Sequence, residues 1–394
     1  MLDHPQRRSN HAIGDEMAAP KNHCTTRIHF QNVNGINTLS WPSLCETWMA
    51  MEADIILVAE HKLDTLQPKV MNMLHRGARN TFGHNQYAIT AASSQIQSPT
   101  MTKQGGKMAL LQGRATGRNT EMGNDEHGRC AYVKLQAPTP ITIICTYQAV
   151  EGNPRTSGPT TTITQLYSSY VKERRPDPAN VRKHHTDDIV AFVKASQRNG
   201  ELVILAGDFN EELGKDTRGL TRLCSQCNLV DTVLSKHHLE EFATQQTGSS
   251  VIDYILVDPR ILPHVLATGY EPFKAHIISD HRGIFIDIST SGLLGDHVPT
   301  LAPIEHRDIQ TKKVHQIPPY FNDKHAHLEH HQWFRKIVEL KKLMEEGTPD
   351  NELAEDLYNR LISASQYAGS RTKSNPSAPF SPELAALRHS QQLL

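Results

Sequence analysis

The sequence predicts an α/β protein followed by a helical tail. Short apolar runs rich in Val, Ile and Leu recur between residues 26 and 290, many closed by Gly, Asn or Asp. That is the pattern of strands buried on both faces. Stretches with apolar residues at helical spacing lie between them. Beyond about Ser289 the strand-like runs stop and only helical faces remain. The expected division is a mobile N-terminal arm (1–25), an α/β domain (26–290) and a linker with helical tail (291–394).

Composition agrees. A chain of 394 residues suggests two or three structural units. Apolar content of 38% is low for one compact globule, so a core with loosely packed ends is expected. No apolar run is long enough to span a bilayer, and no membrane partner is expected. Met1-Leu-Asp-His-Pro-Gln-Arg-Arg lacks the apolar stretch of a secretory signal. An intracellular protein, nuclear or cytoplasmic, is expected. Its six cysteines fit free thiols in a reducing compartment. A formal net charge of −1 gives no global positive field, so any contact with DNA must come from a local patch.

Taken in order, Arg27-Ile-His-Phe-Gln-Asn-Val-Asn-Gly35 reads as a strand running into a turn, with Asn32 and Asn34 at its end. Leu44, Trp48 and Met51 mark a helix over 41–51. Asp54-Ile-Ile-Leu-Val-Ala-Glu60 is a second buried strand. Strand pieces follow at 87–91, 107–111 and 131–135. The polar stretches 93–103 and 113–128 between them read as surface loops. Ile141-Thr-Ile-Ile-Cys-Thr-Tyr147 is another strand, and 163–171 a helix. Thr186-Asp-Asp-Ile-Val-Ala-Phe-Val-Lys reads as a helix capped by Thr186, with Gly200 past its last turn.

The strongest run is Leu202-Val-Ile-Leu-Ala-Gly-Asp-Phe-Asn210. Gly207 would let the backbone leave the strand in a conformation other residues resist. Asp208 and Asn210, two apart, share a face at the strand end and form either a simple turn or a polar site. A helix over 220–228 holds Cys224-Ser-Gln-Cys227, which without a second pair reads as small buried thiols. Val251-Ile-Asp-Tyr-Ile-Leu-Val257 carries Asp253, a carboxylate costly to bury unless paired. Asp280 and His281 stand at the foot of a closing strand. In the tail, Trp333, Ile337, Leu340 and Met344 form one helical face that stops at Gly347. Thr348-Pro349 opens a second helix, and 370–382 is again loose. His325, His327, His330 and His331 read as solvated surface rather than a metal site.

Singly, Asn32, Glu60, Tyr147, Asp208, Asn210, Asp253, Asp280 and His281 each have a bland reading: turn, solvated strand end, packing or structural ion pair. Together they share one placement at strand ends, where α/β folds keep their sites. They are also the residue types that phosphodiester hydrolysis needs: carboxylates for a hard cation and for water, and a histidine to offset charge.

The ordered series Gln-Asn-Val-Asn-Gly, Ala-Glu, Thr-Tyr, Gly-Asp-Phe-Asn, Ile-Asp-Tyr-Ile and Ser-Asp-His resembles the endonuclease/exonuclease/phosphatase superfamily over about residues 26 to 290. That superfamily includes deoxyribonuclease I and apurinic endonucleases. The second Asn before Gly35 and the form of the Gly-Asp-Phe-Asn region resemble the apurinic-type endonuclease of LINE-type (non-LTR) retrotransposons. The tail resembles, more faintly, the segment joining that nuclease to a reverse transcriptase.

The resemblance implies a four-layer α-β-β-α sandwich of two mixed sheets. It implies a Mg2+-dependent DNA endonuclease, with Mn2+ as a substitute, that leaves a 3′ hydroxyl for target-primed reverse transcription. Glu60, Asp280 and Asn32 would serve the metal. Asp208 would act on the attacking water. His281, held by Asp253, would offset charge on the phosphate. Tyr147 and Asn210 would bind phosphate oxygens, and Thr244, Asn34 and Ser279 would contact substrate. A reverse-transcriptase domain or protein is a further partner implied for the tail. Gln148-Ala149 after Tyr147, Gln245 after Thr244 and the long stretches 93–128 and 151–185 depart from the family, which bears on target choice. Two rival readings use the same residues: a phosphatase or phosphodiesterase acting on a small phosphoester, and an inactive relic that only binds nucleic acid.

Overall fold

The computed structural model describes residues 10–18, 20–22, 24–83, 86–96, 102–125, 127–239, 242–295, 317–347 and 350–371. The chain divides into two compact units, Met1–Thr300 and Leu301–Leu394. Among the described residues of the first, thirteen strands make two sheets.

The first sheet holds β1 (Ile13–Gly14), β2 (Thr25–Asn32), β3 (Ile55–Ala59), β4 (Tyr87–Ala92) and β5 (Lys107–Gln112). The second holds β6 (Asn119–Asn124), β7 (Cys130–Leu135), β8 (Ile141–Tyr147), β9 (Leu202–Asp208), β10 (Val230–Asp231) and β11 (Asp253–Val257). The chain then returns to the first sheet with β12 (Val265–Tyr270) and β13 (Ile284–Ser289). The strand orders are β1-β12-β13-β2-β3-β5-β4 and β10-β11-β9-β8-β7-β6. Each sheet has one parallel pair, β2 with β3 and β8 with β9; the other pairs are antiparallel.

The side-chain period of two builds the layers. Ile55, Leu57, Ala59, Ala109 and Leu111 join Ile143, Cys145 and Ile204 in the core between the sheets. Their alternates Ile56, Val58, Met108 and Leu110 pack on α1 (Ser40–Ala50) and α2 (Pro68–Phe82) through Trp41, Trp48, Val70 and Leu74. Helices α3 (Thr162–Lys172), α4 (Val181–Arg198), α5 (Leu220–Cys227) and the short α6 (Thr232–His237) go with the second sheet. The result is the four-layer α-β-β-α sandwich. Strands apolar on both faces give the continuous apolar runs of the sequence.

Several expectations are corrected. Within the expected arm, Ile13–Gly14 form a two-residue edge strand: β1 pairs with β12, and Asp15 accepts the Thr268 N–H at 3.0 Å, covering an open sheet edge. Residues 1–9 lie outside the described residues. The stretch 113–128 contains β6, a polar edge strand paired with β7. Helix α4 starts five residues before Thr186, whose hydroxyl donates back to the Arg182 carbonyl at 3.0 Å instead of capping. Gly207 is ordinary strand backbone. It is glycine because a Cβ would come within 2.6 Å of Thr146 across the β8–β9 pair. All six cysteines are free; Cys227 is buried, and burial pushes the Cys224 and Cys227 thiols up to about 12 and 11.

The second unit holds α7 (Ile317–His330), α8 (Trp333–Glu345) and α9 (Asn351–Arg371). The Trp333 indole donates to the Leu357 carbonyl at 2.7 Å, and Lys336 pairs with Asp356 at 2.8 Å. The expected start of the last helix at Thr348-Pro349 and the segments 296–316 and 372–394 lie outside the described residues. No described helix is long and apolar enough to cross a membrane.

Candidate active site

The two parallel pairs determine where the polar residues meet. Strands β2, β3, β8 and β9 end at one edge, delivering Asn32, Glu60, Tyr147 and Asp208. Antiparallel β11 begins there, with Asp253 opposite Asp208. The loop that feeds β13 brings Ser279, Asp280 and His281 to the same edge, because Ile284 pairs with Phe30.

The inner half is buried. His281 Nδ1 donates to Asp253 Oδ2 at 2.9 Å, and Nε2 lies 4.0 Å from Asp208 Oδ2. Asp208 divides its oxygens. Oδ1 accepts the Asn210 N–H at 3.0 Å, while Oδ2 accepts the Asn32 amide at 2.9 Å. The turn and the polar site are thus the same structure. Burial, then the charge of Asp253, raises the Asp208 carboxyl to about 8, against the pull of His281 and Asn32. Burial works against a charged His281, yet Asp253, Asp208 and Asp280 together raise it to about 10. These neighbours, Asp253 first, favour the charged ring. Asp208, Asp253 and His281 each place an atom within 4.8 Å of the others. A protonated ring makes that trio a poor cage for a cation.

The outer half reaches solvent. The Asn32 amide also extends to Glu60 Oε2 at 3.4 Å, so one side chain clamps two carboxylates. Its own oxygen is engaged by the Asn34 N–H at 3.0 Å. Asn34 donates to Asp280 Oδ1 at 3.0 Å and accepts from Lys62, whose ammonium lies 3.9 Å from Glu60. Asn34, Glu60, Lys62 and Asn210 all have φ between 48° and 54°. Four left-handed residues at one edge, two of them neither Gly nor Asn, are strain concentrated where side chains must be aimed. His61 pins the loop: it is fully buried and bonds the Ala92 and Lys107 carbonyls at 3.0 and 3.2 Å.

A family profile described as Endonuclease/Exonuclease/phosphatase matches residues 31–281. The chain belongs to this family. No curated protein matches it by sequence. Among solved structures it is similar to the AP endonuclease LMAP from Leishmania major, at 15% identity and a TM-score of 0.50, covering 67% of this chain and 88% of that one. It is similar also to the catalytic domain of APE2 from Xenopus laevis (15% identity, TM-score 0.47, 67% and 92% covered). The 3′ phosphatase NExo from Neisseria, solved with product DNA hairpin, gives 15% identity and a TM-score of 0.44, covering 67% of this chain and 99% of that one. At such identities the likeness concerns the fold.

Within this endonuclease/exonuclease/phosphatase fold, the predicted residues collect at one edge, some in direct contact and some through a neighbour. Asn210 donates to the Gln148 carbonyl at 2.8 Å. The buried Tyr147 hydroxyl is pushed well above its ordinary range by burial, then by the charges of Glu60 and Asp208, and Asn210 acts against that rise. Ser279 donates to the Asn32 carbonyl at 2.6 Å and accepts the His281 N–H at 3.1 Å, so it fixes the loop from within. Buried Thr244 accepts the Ile252 and Asp253 N–H groups at 3.0 and 3.3 Å, which aims Asp253. Gln245, a departure from the family, reaches Asp280 Oδ2 at 3.4 Å.

Sequence reasoning missed Lys62, although it stands two residues from Glu60. It also missed Arg182 of α4, which no local pattern marks. Arg182 donates to the carbonyls of Ala149 and Asn210 at 2.7 and 3.3 Å and to the Glu211 carboxylate at 3.0 Å. It thereby ties the loops after β8 and β9 to one helix, just behind Asn210.

Glu60 suits a hard divalent cation. It is a carboxylate at the open side of the site, with Asp280 nearby through Asn34 and the Lys62 ammonium to offset it. Asn32 donates to Glu60, and its own oxygen accepts the Asn34 N–H.

Proposed function

We propose that this chain is a divalent-metal-dependent DNA endonuclease that nicks one strand and leaves a 3′ hydroxyl. The observation behind the proposal is the Asn32 clamp. It joins Glu60, the open carboxylate suited to Mg2+ or Mn2+, to Asp208, the buried carboxylate beside His281 and Asp253.

In this reading Asp208 takes the proton of the attacking water and orients it. Its raised pKa suits a base that must hold a proton briefly. His281 keeps its charge through Asp253 and stabilises the extra negative charge on the phosphate. Tyr147 and Asn210 bind phosphate oxygens. Glu60, supported by Asp280, would hold the cation, which when bound would supply positive charge to offset that developing at the phosphate. The motif forms Asn-Val-Asn-Gly and Gly-Asp-Phe-Asn support a retrotransposon role, in which the 3′ hydroxyl primes reverse transcription and the tail meets a reverse transcriptase.

The test is a supercoiled plasmid. Nicked circles should form with Mg2+, and none with EDTA. Nicking that persists in both Asp208→Ala and His281→Ala would refute the assignment. Cut ends that accept extension by a DNA polymerase would establish the 3′ hydroxyl.

A further inference from the structure

Lys107 is a charge where the fold has least use for one. It stands on β5 between Ala59 of β3 and Ala92 of β4, all directed to the same face. That face is the core between the sheets, which Ala59, Ala109 and Leu111 also enter. The side chain is 1% exposed. Its ammonium donates to the Gly128 carbonyl at 2.6 Å, and no carboxylate pairs with it among the described residues. A methionine would fill this space without burying a charge.

What faces that charge is Tyr147. The ammonium lies 5.3 Å from the centre of the phenol ring, reaching across from the opposite sheet. Burial lowers the ammonium to about 8, which leaves it protonated at neutral pH. The other cations nearby are accounted for. Arg129 is paired with Asp125 and Asp188. Burial, then the charge of Lys107, lowers His61 to about 4, and burial with Arg129 and Lys107 lowers His185 well below its ordinary value. Both rings are neutral, so Lys107 is the net positive charge beneath Tyr147.

We propose that Lys107 is a positioning residue for Tyr147: its buried ammonium holds the phenol ring and keeps the hydroxyl beside Glu60 and Asn210, where its single O–H can turn from Glu60 to a phosphate oxygen when substrate binds. The inference rests on the endonuclease reading for the phosphate, and on geometry alone for the tyrosine.

The experiment uses the full chain labelled with 3-fluorotyrosine. The Tyr147 resonance is assigned by its loss in Tyr147→Phe. Lys107→Gln keeps an N–H for the Gly128 carbonyl and removes the charge; Lys107→Met removes both. Fluorine spectra are recorded from pH 6 to 10 in an Asp208→Asn background, which silences the carboxyl that titrates in the same range. With Lys107 present, the Tyr147 resonance should shift as the ammonium loses its proton. With Lys107→Gln or Lys107→Met added, that step should vanish. In the nicking assay, on the otherwise wild-type chain, either Lys107 variant should lower kcat about tenfold with KM within about twofold, and neither should add to Tyr147→Phe. A fluorine step that survives both substitutions would overturn the proposal. So would a Lys107→Gln variant that behaves as wild type while Lys107→Met is impaired, since only the hydrogen bond would then matter. If Lys107→Met does not fold, Lys107→Gln alone decides. A wild-type chain without nicking would sink the endonuclease reading and leave the fluorine spectra to judge Lys107.

Discussion

The two halves of the site use the same side-chain types to opposite ends. Asp208, Asp253 and His281 are buried and closely grouped, and Asp208 and His281 are both strongly shifted from their ordinary pKa values. Glu60, Asp280 and Lys62 are only partly covered and are linked through Asn34. Burial makes a carboxylate sensitive to every neighbouring charge, which suits proton transfer. Exposure leaves a carboxylate able to exchange water for a cation. On the proposed reading, position in the sandwich, more than residue type, would divide the labour between Asp208 and Glu60.

The largest expected effect breaks the inner half. Asp208→Ala or His281→Ala should lower nicking about 10³-fold or more, at every Mg2+ concentration. Glu60→Gln should also lose about 10²-fold, but raising Mg2+ should recover part of it, because the cation site is weakened rather than the proton path. A Mg2+ titration of the three variants checks this. Recovery of Asp208→Ala by metal would erase the distinction.

The inner half should also govern pH dependence. Asp208 must be ionised to act as base, so nicking should rise as pH increases toward about 8. His281 must be protonated, so nicking should fall as pH passes about 10. Asp253 supplies the leading charge that raises His281, so Asp253→Asn should bring the alkaline limb down in pH as well as lowering the maximum. Initial rates from pH 6 to 11 would show it. A limb that stays in place would mean that Asp253 does not set the charge of the ring.

On the outer half the expected effect is smaller. Lys62→Met should weaken DNA binding several-fold and reduce the slope of log affinity against log salt by about one, the signature of one lost phosphate contact. The Mg2+ requirement should remain. Binding measured between low and moderate salt tests this, and an unchanged slope would confine Lys62 to holding Asn34.

Much of this contrast is legible in the sequence, for a physical reason. A strand buried on both faces must be apolar throughout, so Leu202 to Ala206 and Ile55 to Ala59 stand out, and a polar residue at the end of such a run is conspicuous. Asp208, Glu60 and Tyr147 are found that way. Helix α2 is not, because its buried stripe is Val70, Leu74, Gly77 and Ala78, with small residues where the Trp41 ring lies against it. Strand β6 is polar because it sits at an edge with little of itself buried. Lys62 and Lys107 look like ordinary charges in one dimension. Only the pairing of β3 with β2 and β5, and the packing of β8 against them from the other sheet, give them their neighbours.

The smallest effect separates the halves by stability rather than rate. A carboxyl whose folded pKa is raised stabilises the fold while protonated. That contribution is present below the unfolded value near 3.8 and is lost as pH rises through about 8. Ionised Asp208 is therefore a burden on the fold above about pH 8, partly relieved by His281. Asp208→Asn removes the charge but sets its amide N–H against one of the two donors, the Asn210 N–H or the Asn32 amide, at any pH; its melting temperature relative to wild type should therefore be a few degrees more favourable at pH 8 than at pH 4, while nicking is lost. Glu60→Gln, at the open side, should leave the melting temperature nearly unchanged at both values. Melting curves of the two variants at pH 4 and pH 8 make the comparison, and equal shifts in both would show that burial does not distinguish the two carboxylates.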